Sequence, residues 1–306
     1  MAGNAEAMVL ASFAADALAL GAHWIYDTRQ IDARFGRVTD FLKPSPPTYH
    51  PTKARGELTH YGDQTLVLLR SVSACGGFDE DDFGRCWRES FRTYSGYFDG
   101  ATKQTLKNHE AGTTGVEAAS VSDDLAGAAR IAPLVYRYRN DPGQLVDSAR
   151  RQTALTHNSP MVLGGADFFS RVACRALQGM RPVEAMEQVA AETAFGEPIK
   201  GWISAGLSSA SEDTRSAMRR FGQMCEVAAA FPATVHLIAK YEDRLEEGLI
   251  ENVMAGGDSA GRGLLSGLVL GAWGGRSAIP ERWLSGLAAA QEITRLLAQI
   301  QASVKA

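Results

Sequence analysis

The sequence lacks the marks of a membrane, secreted or nucleic-acid-binding protein. Its apolar residues nowhere run uninterrupted for the roughly 20 positions that a membrane-crossing helix needs. The N-terminus, Met1-Ala2-Gly3-Asn4-Ala5-Glu6, carries no positive charge ahead of its apolar stretch, so no secretory leader is expected. Basic residues are outnumbered: 31 Lys and Arg stand against 35 Asp and Glu, a net charge of −4. A nucleic-acid binder needs a basic face to neutralise phosphates, and this balance argues against that class. Cysteine is sparse as well. Cys75, Cys86, Cys174 and Cys225 form no C-x-x-C pair and no metal-ligand spacing, and are expected as buried thiols of a reducing cytoplasm. Strand signals are confined to short runs such as Leu134 to Tyr138. The 45% of hydrophobic residues nevertheless excludes a disordered chain.

What is present is helical periodicity in an Ala- and Gly-rich background. Val9, Phe13, Ala17 and Leu20 form one stripe on a helix of about residues 5–21. Leu66, Leu69 and Val72 mark another, from Asp63 to about Ser73. Similar patterns predict helices near 80–96, 124–137, 143–152, 160–178, 182–194, 212–229, 233–250, 262–273 and 281–301. Small residues on helix faces let axes approach closely, and the expected fold is a compact, all-α, multi-helix domain over 1–306. Two segments read as long loops: 37–57, with Pro44, Pro46, Pro47 and Pro51, and 103–122, with Gly112 and Gly115. Tyr49 and His50 in the first are expected to cover a pocket as a lid.

Gly257-Asp258-Ser259-Ala260-Gly261 matches the G-x-S-x-G nucleophile elbow. The elbow requires a strand before it and a triad His after the Ser. All six histidines (His23, His50, His60, His109, His157 and His236) precede Ser259, so a serine hydrolase is not expected.

Three turns at helix ends carry more information together than singly. They are Ala15-Asp16-Ala17-Leu18-Ala19 running on to His23, Tyr61-Gly62-Asp63-Gln64-Thr65, and Gly256-Gly257-Asp258-Ser259-Ala260-Gly261. Each alone is explained by a carboxylate at a helix start. In this order, with Leu155-Thr156-His157-Asn158-Ser159-Pro160 in the middle and Arg130-Ile131-Ala132-Pro133-Leu134 before it, the chain resembles the ADP-ribosylglycohydrolase superfamily. The resemblance spans nearly the whole sequence. It implies an all-α fold with a G-D-A-L-G-like first helix, a T-D-D-T helix start and a G-G-D-T-D-T turn near the C-terminus. It also implies two Mg²⁺ or Mn²⁺ ions and hydrolysis of a ribosyl C1–N or C1–O bond.

The departures limit what carries over. Aligned on that pattern, Asp63 and Asp258 remain as metal ligands, while Gly62, Gln64, Ala260 and Gly261 replace the others and His23 stands where the family has a Glu. Two divalent ions need more anionic oxygen than two carboxylates supply. The ligand count leaves room for at most one divalent cation, Mg²⁺, Mn²⁺ or Zn²⁺, on Asp63 and Asp258 with help from His23, or for none.

Within the resemblance, Asp63, Asp258 and His23 are the expected catalytic groups. Asp63 would orient or deprotonate water, Asp258 would stabilise charge on the sugar, and His23 would act as acid or base. Packing of His23 beside Trp24 and Tyr26 is the alternative. Asp16, Gln64, Thr65, His157 and Ser259 are the expected substrate-facing residues; for His157 a capping role stands as the alternative. The expected function is therefore a divergent, cytoplasmic, glycosidase-type hydrolase acting on a small-molecule or ADP-ribosylated substrate, with no nucleic-acid or membrane partner. The alternative is a non-catalytic nucleotide- or sugar-binding or crystallin-like protein on the same fold, a branch that the run His23-Trp24-Ile25-Tyr26-Asp27 resembles. Oligomeric state is left open.

Overall fold

A computed structural model describes residues 2–305. It is all-α: helices run at Ala2–Ala19, Thr28–Phe35, His60–Cys75, Glu80–Phe91, Gly100–Glu110, Ala126–Ala129, Ala132–Tyr138 and Pro142–Ala154. They continue at Pro160–Leu177, Pro182–Glu192, Glu197–Ser208, Thr214–Phe221, Val227–Lys240, Leu245–Met254, Ser259–Gly274, Glu281–Gly286 and Ala290–Lys305. Among the described residues, extended pairing is limited to isolated bridges at Ser120–His157 and Asp124–Glu226. No described helix is long and apolar enough to cross a membrane.

The centre of the molecule is an antiparallel pair, Ala2–Ala19 against Ser259–Gly274. Gly263, Gly267 and Gly271 repeat every four residues and form a smooth groove for Ala15, Ala11 and Met8. A Cβ on Gly267 would sit 2.5 Å from the Ala11 carbonyl oxygen, and one on Gly271 would sit 2.6 Å from the Ala11 Cβ. The Ser12 hydroxyl donates to the Leu264 carbonyl at 2.8 Å across the same seam. In an isolated helix, Gly→Ala gains about 1 kcal/mol. Here Gly267→Ala is expected to destabilise the protein by about 2 kcal/mol through overpacking against backbone. Urea denaturation checks it, and a stabilised variant would contradict the close packing. The remaining helices surround this pair, and one hydrophobic cluster runs from Ala5 to Ile300.

Several sequence expectations change in detail. The segment 103–122 is not all loop, because Gly100–Glu110 is helical. Asp99 caps that helix by accepting from the Thr102 N–H, and Thr102 and Thr105 turn inward, so its polar composition hides a buried face. The strand-like run Leu134 to Tyr138 is helical, and the helix expected over 124–137 breaks at Arg130-Ile131, just ahead of Pro133. The stretch 233–250 divides at Tyr241 into two helices. The four cysteines are free as expected, but only Cys174 is buried: Cys86 and Cys225 are half-buried and Cys75 is exposed.

Candidate functional site

Three helix ends meet at one place. The antiparallel seam carries the C-terminal end of Ala2–Ala19 to the N-terminus of Ser259–Gly274. His60–Cys75 begins beside them. Two helix N-termini thus point into the region, an arrangement that favours carboxylates.

The start of His60–Cys75 is fixed by a buried clamp. Thr59 caps the helix, its hydroxyl accepting from the Tyr61 N–H at 3.1 Å. The fully buried Asp16 holds the cap, accepting from the Thr59 N–H at 2.7 Å and the Thr59 hydroxyl at 2.6 Å. Gly62 must be glycine here, since a Cβ would lie 2.2 Å from Asp16 Oδ2. Burial pushes the Asp16 carboxyl up to about 7, against the lowering effect of the Thr59 hydrogen bonds. Asp16 therefore holds two chain segments together, a different task from the substrate contact expected of it.

This start lies a turn earlier than the sequence alignment placed it. The residues opening the helix are Thr59, His60, Tyr61 and Gly62, and Asp63 follows them. Asp63 is turned away, accepting from Lys53 Nζ at 2.5 Å and from the Tyr94 hydroxyl at 2.6 Å. Burial raises its pKa and Lys53 opposes the rise. It opens onto a separate cavity of about 390 Å³ that Lys53, Arg70 and Tyr94 also line. Asp63 belongs to neither group of converging donors found among the described residues. No group of three converging donors among the described residues joins Asp63 to Asp258, and Asp63 is paired with Lys53 instead.

The last turn is built by tight backbone. Gly256 and Gly257 have φ of +73° and +66°, and the Gly257 carbonyl and N–H pair with Trp24 and Ile25 at 2.9 Å each. This pairing sets His23 beside Asp258, with Nδ1 to Oδ1 at 3.7 Å. Asp258 caps its helix by accepting from the Gly261 N–H at 3.2 Å. Burial raises its pKa to about 6, and the buried Arg262 restrains the rise.

Asp124 joins them from the start of the stretch expected as a helix over 124–137, and was not among the expected site residues. It accepts from the Ala126 N–H at 2.8 Å and the Tyr61 hydroxyl at 3.1 Å. Oxygens of Asp124 and Asp258 and the Cys225 sulfur lie within 4.8 Å of one another. Burial, then the nearby Asp258 and Asp99, hold the Asp124 carboxyl well above the usual carboxylate range.

A second group adjoins the first. His23, His50 and His60 each place a ring nitrogen within 4.8 Å of the others. His50 comes from the proline-rich loop and His60 from the first helical position after Thr59. His50 stacks on both neighbours, with ring centroids 5.5 Å from His23 and 5.4 Å from His60. Burial holds all three rings neutral, with His50 and His60 lowered to about 3. Tyr49, Trp24 and Tyr97 close over them edge to face, so the loop covers the site.

The other expected residues have more local partners. The Gln64 carbonyl accepts from Trp87 Nε1 at 2.8 Å and from Arg130 at 2.9 Å. Thr65 bonds back to the Tyr61 carbonyl of its own helix. His157 meets Thr156 Oγ1 at 2.9 Å and lies against Gly127. Ser259 is fully buried beneath Asp258. The structure thus brings His23 and Asp258 together and adds His50, His60, Tyr61, Asp124 and Cys225. His50 had been singled out only as part of a lid. Asp124 and Cys225 gave no signal, since they meet through the Leu125 N–H bonded to the Cys225 carbonyl at 2.9 Å, about a hundred residues on.

The pair of Mg²⁺ or Mn²⁺ ions implied by the resemblance does not fit these donors. Hard divalent ions want several anionic oxygens, whereas imidazole nitrogens and a thiol dominate here.

Comparison with known proteins agrees with this architecture. An ADP-ribosylglycohydrolase family model matches residues 2–305. An uncharacterized protein of Archaeoglobus fulgidus is 29% identical over 83% of this chain and 81% of its own. Crystallin J1A of Tripedalia cystophora is 23% identical over 99% of this chain and 97% of its own. A solved structure, an ADP-ribosylglycohydrolase-related protein complex, superposes with a TM-score of 0.80 at 24% identity, covering 99% of this chain and 98% of that one. The chain belongs to the ADP-ribosylglycohydrolase family.

Proposed function

We propose that the protein is a hydrolase of an ADP-ribosyl or related N- or O-glycoside, working through carboxyl and imidazole groups in place of the family's metal pair. One observation carries this reading: Asp124 and Asp258, both buried, bring carboxyl oxygens within 4.8 Å. Their surroundings push the two pKa values apart, with Asp258 at about 6 and Asp124 well above the carboxylate range. Two carboxyls this close are the equipment of retaining glycoside hydrolysis, one as acid and then base, the other as nucleophile.

The steps follow from this division. Asp124, protonated, gives its proton to the leaving nitrogen or oxygen as the C1 bond breaks. Asp258, ionised at neutral pH, bonds to C1 as the leaving group departs; Asp124, now ionised, then takes a proton from the water whose oxygen bonds to C1 and releases Asp258. The Asp258 charge also stabilises the oxocarbenium-like sugar. The Gly261 N–H keeps Asp258 oriented, and the Tyr61 hydroxyl does the same for Asp124. Substrate enters by displacing the exposed Tyr49. No step passes through a metal ion.

Asp258→Asn and Asp124→Asn should each lower turnover by about 10³-fold while the fold persists, the loss expected when a nucleophile or an acid–base group is removed. Release of ADP-ribose from N- and O-linked ADP-ribosyl compounds is the assay. Turnover that survives both substitutions would rule out this chemistry.

A non-catalytic, crystallin-like role is the second reading. The crystallin relative and the sealed site favour it. Absence of turnover by the native chain on every such glycoside would decide for it.

A further inference from the structure

We propose that His23, His50 and His60 form a transition-metal site, selective for Zn²⁺ or a similar borderline ion over Mg²⁺. The three rings are 5%, 1% and 0% exposed, and none of their six nitrogens has a hydrogen-bond partner in the protein. Each neutral imidazole carries one donor and one acceptor, and a buried polar group left unsatisfied costs about 1–3 kcal/mol. Stacking alone does not account for the choice of residue, because Phe would fill the same places without that cost. A ligand that engages the nitrogens does account for it.

Convergence narrows the ligand to a cation. The three rings come from separate segments: the end of the first helix, the proline-rich loop, and the start of His60–Cys75. A nitrogen of each lies within 4.8 Å of the others. Tetrahedral zinc with bonds of 2.0–2.1 Å sets its nitrogens about 3.4 Å apart, so the nitrogens close on one another by at most about 1.4 Å on binding. His50, carried on a loop, is placed to supply that movement.

Carboxylates stand behind two of the rings. His23 Nδ1 lies 3.7 Å from Asp258 Oδ1, and His60 Nε2 lies 3.7 Å from Asp99 Oδ2. A carboxylate on one ring nitrogen orients the ring and makes the other nitrogen a better donor, as around zinc-bound histidines generally. Asp258 and Asp99 also offset the charge of a divalent ion. Three nitrogens with no carboxylate among them suit Zn²⁺, Co²⁺ or Ni²⁺, and the fourth position is left for water or a ligand. The donors differ from the oxygen set that a magnesium pair requires, and the site stands whether or not the chain is a hydrolase.

The test uses the full chain, stripped of metal by chelator and titrated with Co²⁺ by visible absorption and with Zn²⁺ by calorimetry. One ion per chain with nitrogen-ligand Co²⁺ bands is expected, unaffected by excess Mg²⁺. His50→Phe and His60→Phe keep the stack, and each should weaken Zn²⁺ binding by roughly 100-fold or more. Circular dichroism and the melting temperature of the metal-free variants verify the fold. Failure of the native chain to bind Co²⁺ overturns the proposal without recourse to any variant. So does binding with sulfur charge-transfer bands that survives both substitutions and disappears in Cys225→Ser, which would place the ion on Asp124, Cys225 and Asp258.

Discussion

Lowering the pH from 6.5 to 5 is expected to remove about 2 kcal/mol of folding free energy, and the next unit about as much again. The cause is buried imidazole. His23, His50, His60, His157 and His236 all have pKa values lowered, chiefly by burial. The unfolded chain takes up protons at these five positions near pH 6.5, while the folded chain does not. Stability from these groups is complete above pH 6.5 and is lost as pH falls towards 3–4. Asp16, Asp63, Asp124 and Asp258 act in the opposite sense. Their raised pKa values let the folded state bind protons first, which favours it as pH falls from about 7. Five protons on the unfolded side against three or four on the folded side leave a net of one to two near pH 5, each worth about 1.4 kcal/mol per pH unit. Urea denaturation across this range measures the slope directly. Stability that is flat or rises on acidification would mean that the rings are hydrated in solution. Replacing His236 with Gln, away from the site, should reduce the slope by one proton.

Asp16→Ala should destabilise the protein by about 4 kcal/mol, since it strips a fully buried N–H and hydroxyl of their shared acceptor. The loss should be greater at pH 5 than at pH 8, because ionising a carboxyl whose pKa is raised to about 7 disfavours the folded state. Asp16→Asn keeps one acceptor oxygen and should lose less. Thermal and urea unfolding at the two pH values separate the clamp from a substrate contact. A variant of native stability with weakened ligand binding would return Asp16 to the role first expected of it.

The first helix was legible because its apolar residues keep helical spacing over its whole length, although it is buried on nearly every side. Asp258 was legible because glycines precede it and a small-residue helix follows. The start of His60–Cys75 was not, since a sequence match centred on Gly62-Asp63-Gln64-Thr65 hides the fact that Thr59 is the cap. Only the distant Asp16 makes that visible. The helices Thr28–Phe35 and Glu197–Ser208 were passed over, being short or low in regular periodicity. The histidine group was beyond reach for another reason. His23, His50 and His60 share no spacing rule, and what unites them is a stack formed when a proline-rich loop folds over two helix ends. Asp63 shows the converse case: it sits in an acidic motif, but Lys53 decides where it points.

The glycine-lined seam also bears on how the chain is made. Ser12 bonds to Leu264 across a separation of 252 residues. During synthesis at about 5–20 residues per second, the first helix waits roughly 10–50 s for the groove that receives it. Its Ala-rich surface, buried on nearly every side in the finished protein, has no native seat over that interval. Formation of the central pair is therefore a late, long-range step, and local helices assembled earlier have to leave the middle of the molecule open for it.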